Sequence, residues 1–267
     1  MDQMQDINFS KITLAAIEIA LQTGDILKKG FSTSFKISKK EGRHNLVTEY
    51  DLLSEKKIIE FINQRFYDHS ILSEEKGEVQ SKGEYKWIID PLDGTVNFAH
   101  SIPFFSVSIG IKKNDDLISS VIYAPLLNEL FVAEKGKGAY LNGQRIFVSN
   151  TKNIDDAILA TGFPYDLINN PNQCLDYFVK IAKLGLPIRR LGCASLDLAY
   201  VASGRFDVFW ETGLGPWDCA GGILLIEEAN GKITNWDNSK IKLQNKNAVI
   251  ATNSYLHESL IDIFRDI

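Results

Sequence analysis

The chain predicts an α+β first half joined to an α/β second half, with the boundary near residue 150. Three features carry this expectation. Two stretches of helical apolar spacing come first. A series of β-branched and aromatic segments follows, divided by short turn signals, which reads as an antiparallel meander. Beyond residue 150, strand-like and helix-like segments alternate as in an α/β unit. Residues 1–150 and 151–267 are therefore expected as two halves of one compact unit.

Residues 8–30 place Ile12, Leu14, Ile17, Leu21, Ile26 and Leu27 at helical spacing, and Gly30 fits a C-terminal stop. Residues 32–45 form a polar, mostly basic stretch with Lys36, Lys39, Lys40 and Arg43, expected as a solvated connector. A short strand at 45–48 runs into a second helix over 51–66, with Leu52, Ile58, Ile59 and Ile62 facing inward. Residues 106–111, 117–123, 129–134 and 145–148 read as strands. Lys113-Asn114-Asp115 and Asn142-Gly143 supply the turns, and Asn-Gly between strands is a strong hairpin cue. The second half reads as strands at 158–161, 188–191, 206–210 and 248–251, alternating with helices at 173–184, 196–202, 220–229 and 254–264.

The 267 residues are 45% hydrophobic and 24% charged, enough apolar material for a substantial core. A net charge of −5 implies no general attraction to nucleic acid or anionic membrane, so no direct nucleic-acid binding is expected. A small anionic substrate would need local positive charge, most simply from bound metal. Cys174, Cys193 and Cys219 show no CxxC spacing and an odd count, which points to a reduced compartment. No basic-then-apolar leader opens the chain and no run of about 20 apolar residues occurs, so a cytoplasmic location is expected.

The most informative stretch is Trp87 to Phe98. An apolar strand, Trp87-Ile88-Ile89, meets Asp90 and Asp93 with Pro91 between them and Gly94 just after. Pro and Gly predict that the strand stops there and the chain bends. Two carboxylates held so close repel each other unless a cation lies between them, and Mg2+ takes oxygen ligands of this kind. Other acids sit at strand ends or helix entries, the usual position of site residues in open α/β sheets: Asp51, Glu74, Glu75, Glu211 and Asp218. Asp51 and Asp218 also suit the first turn of a helix on capping grounds alone.

Asp90-Pro91-Leu92-Asp93-Gly94-Thr95, followed by Asn97-Phe98, closely resembles the signature of the inositol monophosphatase family. The likeness runs from Lys40 to about Gly231 and is strongest at residues 45–51, 87–98 and 217–231. It implies a layered α-β-α-β-α sandwich and a homodimer. It implies Mg2+, two to three ions per subunit. Glu74, Asp90 and the Leu92 carbonyl would bind the first, and Asp90, Asp93 and Asp218 the second. Glu74 would border a weaker third site, which the basic loop would approach through Lys40.

The resemblance further implies that Asp51 and Thr95 help deprotonate the attacking water, that the Gly94 and Thr95 amides cradle phosphate, and that Ala194 and Glu211 contact the leaving alcohol. The reaction implied is Mg2+-dependent, Li+-sensitive hydrolysis of inositol monophosphate. Fructose 1,6-bisphosphate, histidinol phosphate or a nucleotide 3′-phosphate are the alternative substrates. Some bacterial relatives assist ribosomal RNA synthesis, so a transcription-machinery partner is a second expectation. Cys193 stands where many relatives have Thr or Ser, and Asn230 where Gly is usual. Neither cysteine near the expected site, Cys193 or Cys219, is expected to act as a nucleophile; both read as small buried residues.

Overall fold

The computed structural model describes residues 7–39 and 46–265. Helix α1 (Lys11–Gly30) begins where the Ser10 hydroxyl accepts from the Thr13 amide. A two-stranded ribbon, β1 (Ile37–Lys39) and β2 (Leu46–Thr48), leads into α2 (Glu49–Arg65). Then come β3 (Ser70–Ser73), β4 (Gly77–Val79), β5 (Tyr85–Asp93), the short α3 (Thr95–Ala99), β6 (Ser106–Lys113), β7 (Asp116–Ala124), β8 (Glu129–Glu134), β9 (Gly138–Leu141) and β10 (Gln144–Arg145). These strands, β1 and β2 apart, form one sheet in the order β10-β9-β8-β7-β6-β5-β3-β4, antiparallel except for β3 beside β5. The Asn142-Gly143 hairpin forms as expected. Both residues take positive φ (49° and 84°), as a type I′ turn requires.

The second half contributes β11 (Leu159–Thr161), α4 (Cys174–Ala182), β12 (Ile188–Arg189), α5 (Ala194–Ala202), β13 (Val208–Leu214), α6 (Pro216–Glu228), β14 (Lys232–Asn235), β15 (Asn247–Thr252) and α7 (His257–Arg265). Its sheet runs β12-β11-β13-β15-β14. The first three strands are parallel, while β15 and β14 pair antiparallel.

Alternation along the strands assigns the layers. In β7, Val121 and Tyr123 pack with α1 and α2, whereas Ile122 points to the opposite face with α5 and α6. In β13, Phe209 joins the α5 and α6 side while Val208 and Trp210 pack with α4 and α7. The result is helix, sheet, helix, sheet, helix, as the resemblance implied. The α5 and α6 layer is buried between the sheets, and small residues let it approach. A Cβ on Gly110 of β6 would lie 2.6 Å from the Ala220 methyl. No helix among the described residues is long and apolar enough to cross a membrane.

Several sequence expectations need correction. Leu52 faces solvent (53% exposed), because α2 starts at Glu49 and turns Asp51, Ser54, Glu55 and Ile58 inward instead. The strand expected at 145–148 ends at Arg145, and Ile146 and Val148 pack on the inter-sheet core without a ladder. Strand β14 was not anticipated; it is a short edge strand of mixed polarity and gives little pattern to read. Lys40 lies outside the described residues.

Candidate active site

Strand β5 does not stop before Pro91, as the sequence suggested, but continues to Asp93. Residues three apart on a regular strand point to opposite faces. Here the pairing with β6 steps from Asp90 opposite Ser108 to Asp93 opposite Ser106, so the strand carries one extra residue. That bulge returns Asp90 and Asp93 to the same face. On the other side β3 pairs with β5 only as far as Ile89, so Pro91 forfeits no ladder hydrogen bond there.

Asp218 arrives from the helix layer between the sheets, in the first turn of α6. Its Oδ2 accepts from the Gly215 amide at 2.7 Å, so it caps the helix while facing the strand end. Asp90, Asp93 and Asp218 each present an oxygen within 4.8 Å of the others. Glu74, just past β3, lies outside this triad but near enough for its charge to act on Asp90 and Asp218.

Asp93 is held by the N-terminus of α5. Its Oδ2 accepts from the Ser195 amide (2.7 Å), the Ser195 hydroxyl (2.5 Å) and the Cys193 thiol (3.2 Å). Hydrogen bonds to a charged group contribute about 1.5–3 kcal/mol each. They commit Oδ2 to the helix and leave Oδ1 for the cluster. Burial and the Asp93 charge push the Cys193 thiol well up, so it stays protonated and serves as a donor.

A second pair sits beside the triad. The Thr95 hydroxyl has two acceptors in reach, Asp51 Oδ1 at 2.9 Å and the Leu92 carbonyl at 3.0 Å. Asp51 is buried and its Oδ2 accepts from the Thr48 amide and hydroxyl at 2.7 and 2.6 Å. Asp51 therefore closes a capping box on α2 and also meets Thr95. Gly94 links the two groups at φ 89°, and a Cβ there would press on the Phe104 carbonyl at 3.0 Å. Ala194 is the first residue of α5, behind Cys193. Glu211 lies against Gly162, where a Cβ would come within 2.0 Å of its carboxylate. Burial pushes the Glu211 carboxyl up to about 8, with Arg190 opposing and Asp93 adding.

The electrostatics fit a cation. Burial first, then the charges of Glu74, Asp93 and Asp218, push Asp90 well above the carboxylate range. Burial, then Asp93 and Glu74, do the same to Asp218. Asp93 is raised by burial despite its donors. A set of hard oxygens whose mutual repulsion is unrelieved suits a divalent ion such as Mg2+.

This has a pH consequence. These acids ionise at ordinary values when unfolded and hold their protons to higher pH when folded. The folded state therefore binds more protons above the ordinary carboxylate range, up to about pH 8 in the case of Glu211, and metal-free stability falls as pH rises from about 4. Mg2+ at 100 times its Kd should restore about 2.7 kcal/mol. Thermal scans in chelator and in Mg2+ should show a larger Mg2+ shift at pH 8 than at pH 5.5. Equal shifts at the two values would count against the cluster as the binding site.

Four residues around the site carry no assigned role in the sequence. Ser195 anchors Asp93, and only the packing of α5 on β5 brings them together. Asn97 donates through Nδ2 to the Phe104 and Leu191 carbonyls, at 2.7 and 2.9 Å, tying α3 to the segment before α5. Its place in the Asp-Gly-Thr-x-Asn motif was the available signal. Asp197 is buried with neither oxygen hydrogen-bonded among the described residues, and burial, then Glu211, push its carboxyl well above the usual range. Tyr165 is 59% exposed, yet desolvation and the nearby Glu74, Asp93, Asp218 and Asp90 push its phenol up.

Acids gathered at a strand end between two sheets, beside a hydroxyl–carboxylate pair, form a site suited to a divalent cation, and comparison with known proteins gives it a class, a phosphatase that cleaves phosphate monoesters, and a family. The family model described as "Inositol monophosphatase family" matches residues 8–267, and the chain belongs to that family. An inositol-1-monophosphatase from Caulobacter vibrioides is 39% identical over 254 residues, 93% of this chain and 99% of the relative. A protein named Nus factor SuhB from Pseudomonas aeruginosa is 39% identical over 252 residues, 92% of this chain and 93% of its own. The solved structure of extragenic suppressor protein suhB from Bartonella henselae superposes with a TM-score of 0.91 at 34% identity, covering 96% of this chain and 99% of that one.

Proposed function

We propose that this protein hydrolyses inositol monophosphate to inositol and phosphate with Mg2+, and that it acts as a homodimer in the cytoplasm. The observation that carries the reading is the meeting of Asp90, Asp93 and Asp218 within 4.8 Å. Asp90, Asp93, Asp218, Glu74 and the Leu92 carbonyl would hold two to three Mg2+ ions, which when bound neutralise phosphate charge, acidify water and stabilise the leaving alkoxide. The Thr95 hydroxyl takes a proton from the attacking water as it gives its own to Asp51 Oδ1, 2.9 Å away. The Gly94 and Thr95 amides cradle the phosphate oxygens. Ala194 and Glu211 meet the alcohol, with Glu211 as the acceptor for its hydroxyl groups.

The test is a screen of sugar, inositol and nucleotide phosphates with and without Mg2+. Inositol monophosphate should give the highest kcat/KM, and turnover should fall in millimolar Li+. Fructose 1,6-bisphosphate, histidinol phosphate or a nucleotide 3′-phosphate at the head of the ranking would replace the substrate while keeping the chemistry. Turnover untouched by chelator would reject the metal.

A second reading has its own support, the similarity to the protein named Nus factor SuhB. In that reading the chain also binds the transcription machinery by protein contacts. Pull-down with wild type and with Asp93→Asn separates the roles. Equal capture by both would favour a binding role independent of catalysis.

A further inference from the structure

We infer that Glu55 is a positioning residue for Glu74, holding the 73–76 turn where Glu74 reaches the carboxylate cluster. The inference rests on the proposed role of Glu74 as a metal ligand. Glu55 lies one helical turn after Asp51 on α2 and is 1% exposed. Helix α2 thus turns two successive acids inward. Asp51 meets Thr95, and Glu55 meets the turn after β3. Glu55 Oε1 accepts from the Glu75 amide at 3.2 Å, the Lys76 amide at 2.9 Å, and the Ser73 hydroxyl. On its other side the turn is tied to β5, where the Glu74 amide donates to the Ile89 carbonyl at 3.3 Å, one residue before Asp90.

Glu74 is therefore bracketed. Its backbone is fixed to the strand that carries Asp90 and to the helix that carries Asp51. A buried carboxylate is costly unless charge-assisted hydrogen bonds compensate it, and an apolar residue would serve α2 packing at lower cost. The partners Glu55 has found are the donors that set the course of the chain through Glu74. Outer-shell groups of this kind typically change metal affinity by about 10–100-fold when altered.

The test uses the full chain and Mn2+ as probe, with free Mn2+ counted by electron paramagnetic resonance, so no turnover is needed. Glu55→Asp keeps the charge but withdraws the carboxylate by about 1.5 Å, one carbon–carbon bond. Glu55→Gln keeps an acceptor oxygen at full length. Glu55→Asp should weaken Mn2+ binding about 10–100-fold. It should also speed hydrogen exchange at the Glu75 and Lys76 amides, while Glu55→Gln stays close to wild type on both counts. Wild-type Mn2+ affinity in Glu55→Asp, or equal losses in the two variants, would overturn the positioning role. Glu74→Gln separates this inference from the reading beneath it. If that variant binds Mn2+ as wild type does, Glu74 is no ligand and the role of Glu55 falls with it. If it loses affinity while Glu55→Asp does not, only the positioning role fails.

Discussion

Asp93→Asn should cut Mg2+-dependent phosphatase turnover by at least ~10³-fold, about 4 kcal/mol of transition-state stabilisation, while the protein stays folded. The geometry explains both parts. Asp93 Oδ2 receives the Ser195 amide, the Ser195 hydroxyl and the Cys193 thiol. An asparagine can keep its single carbonyl oxygen on these donors, which preserves the contact between β5 and α5. Its amide nitrogen then faces Asp90 and Asp218, where it donates instead of ligating. Removing one acid from a raised, mutually repelling set also relieves strain in the metal-free protein, so the thermal midpoint in chelator should hold or rise. Asp218→Asn should behave alike, with some loss of the cap on the Gly215 amide. Near-wild-type turnover in either variant would contradict the scheme.

Asp51→Asn should lower kcat by about 10²–10⁴-fold with KM little changed. Asp51 serves two masters through two oxygens. Oδ2 takes both the amide and the hydroxyl of Thr48, and Oδ1 takes the hydroxyl of Thr95. An asparagine has one oxygen to offer, and the paired donors of Thr48 claim it. The amide group then points at Thr95 and donates to Oγ1. The Thr95 proton is turned toward its other acceptor, the Leu92 carbonyl, and the path from water to carboxylate is cut. Steady-state kinetics with thermal melting checks this. A KM effect with unchanged kcat would mean that Asp51 shapes binding and carries no proton.

The acids of the site differ in how far the local sequence announces them. Asp90 and Asp93 lie three residues apart beside Pro and Gly, and that local chemistry announces a turn or a site without reference to the rest of the chain. The Asn142-Gly143 hairpin was legible for the same reason, since its φ requirement is written in the two residues themselves. The helices α1 and α2 followed from apolar spacing, though Leu52 showed the limit of periodicity. One residue of phase at a helix start moves a side chain from core to solvent, and here the buried face includes the acids Asp51 and Glu55, which no apolar count registers.

What the sequence by itself determined is the inventory of short-range commitments. It set where most of the helices and strands lie, where the Asn-Gly hairpin falls, and which acids stand near element ends. Each depends on interactions within a few residues. Local pattern marks Asp218 only as a first-turn acid; the family resemblance groups it with Asp93, more than a hundred residues earlier, and the tertiary structure is what brings their oxygens together. It also decided that Ser195 anchors Asp93 and that Glu55 braces the turn of Glu74. Those contacts exist because two sheets bury opposite faces against one shared helix layer, and the bulge at Pro91 rotates both β5 acids toward it. Packing across that layer is a long-range property of the folded chain, and no local pattern encodes the distance between residues it brings together.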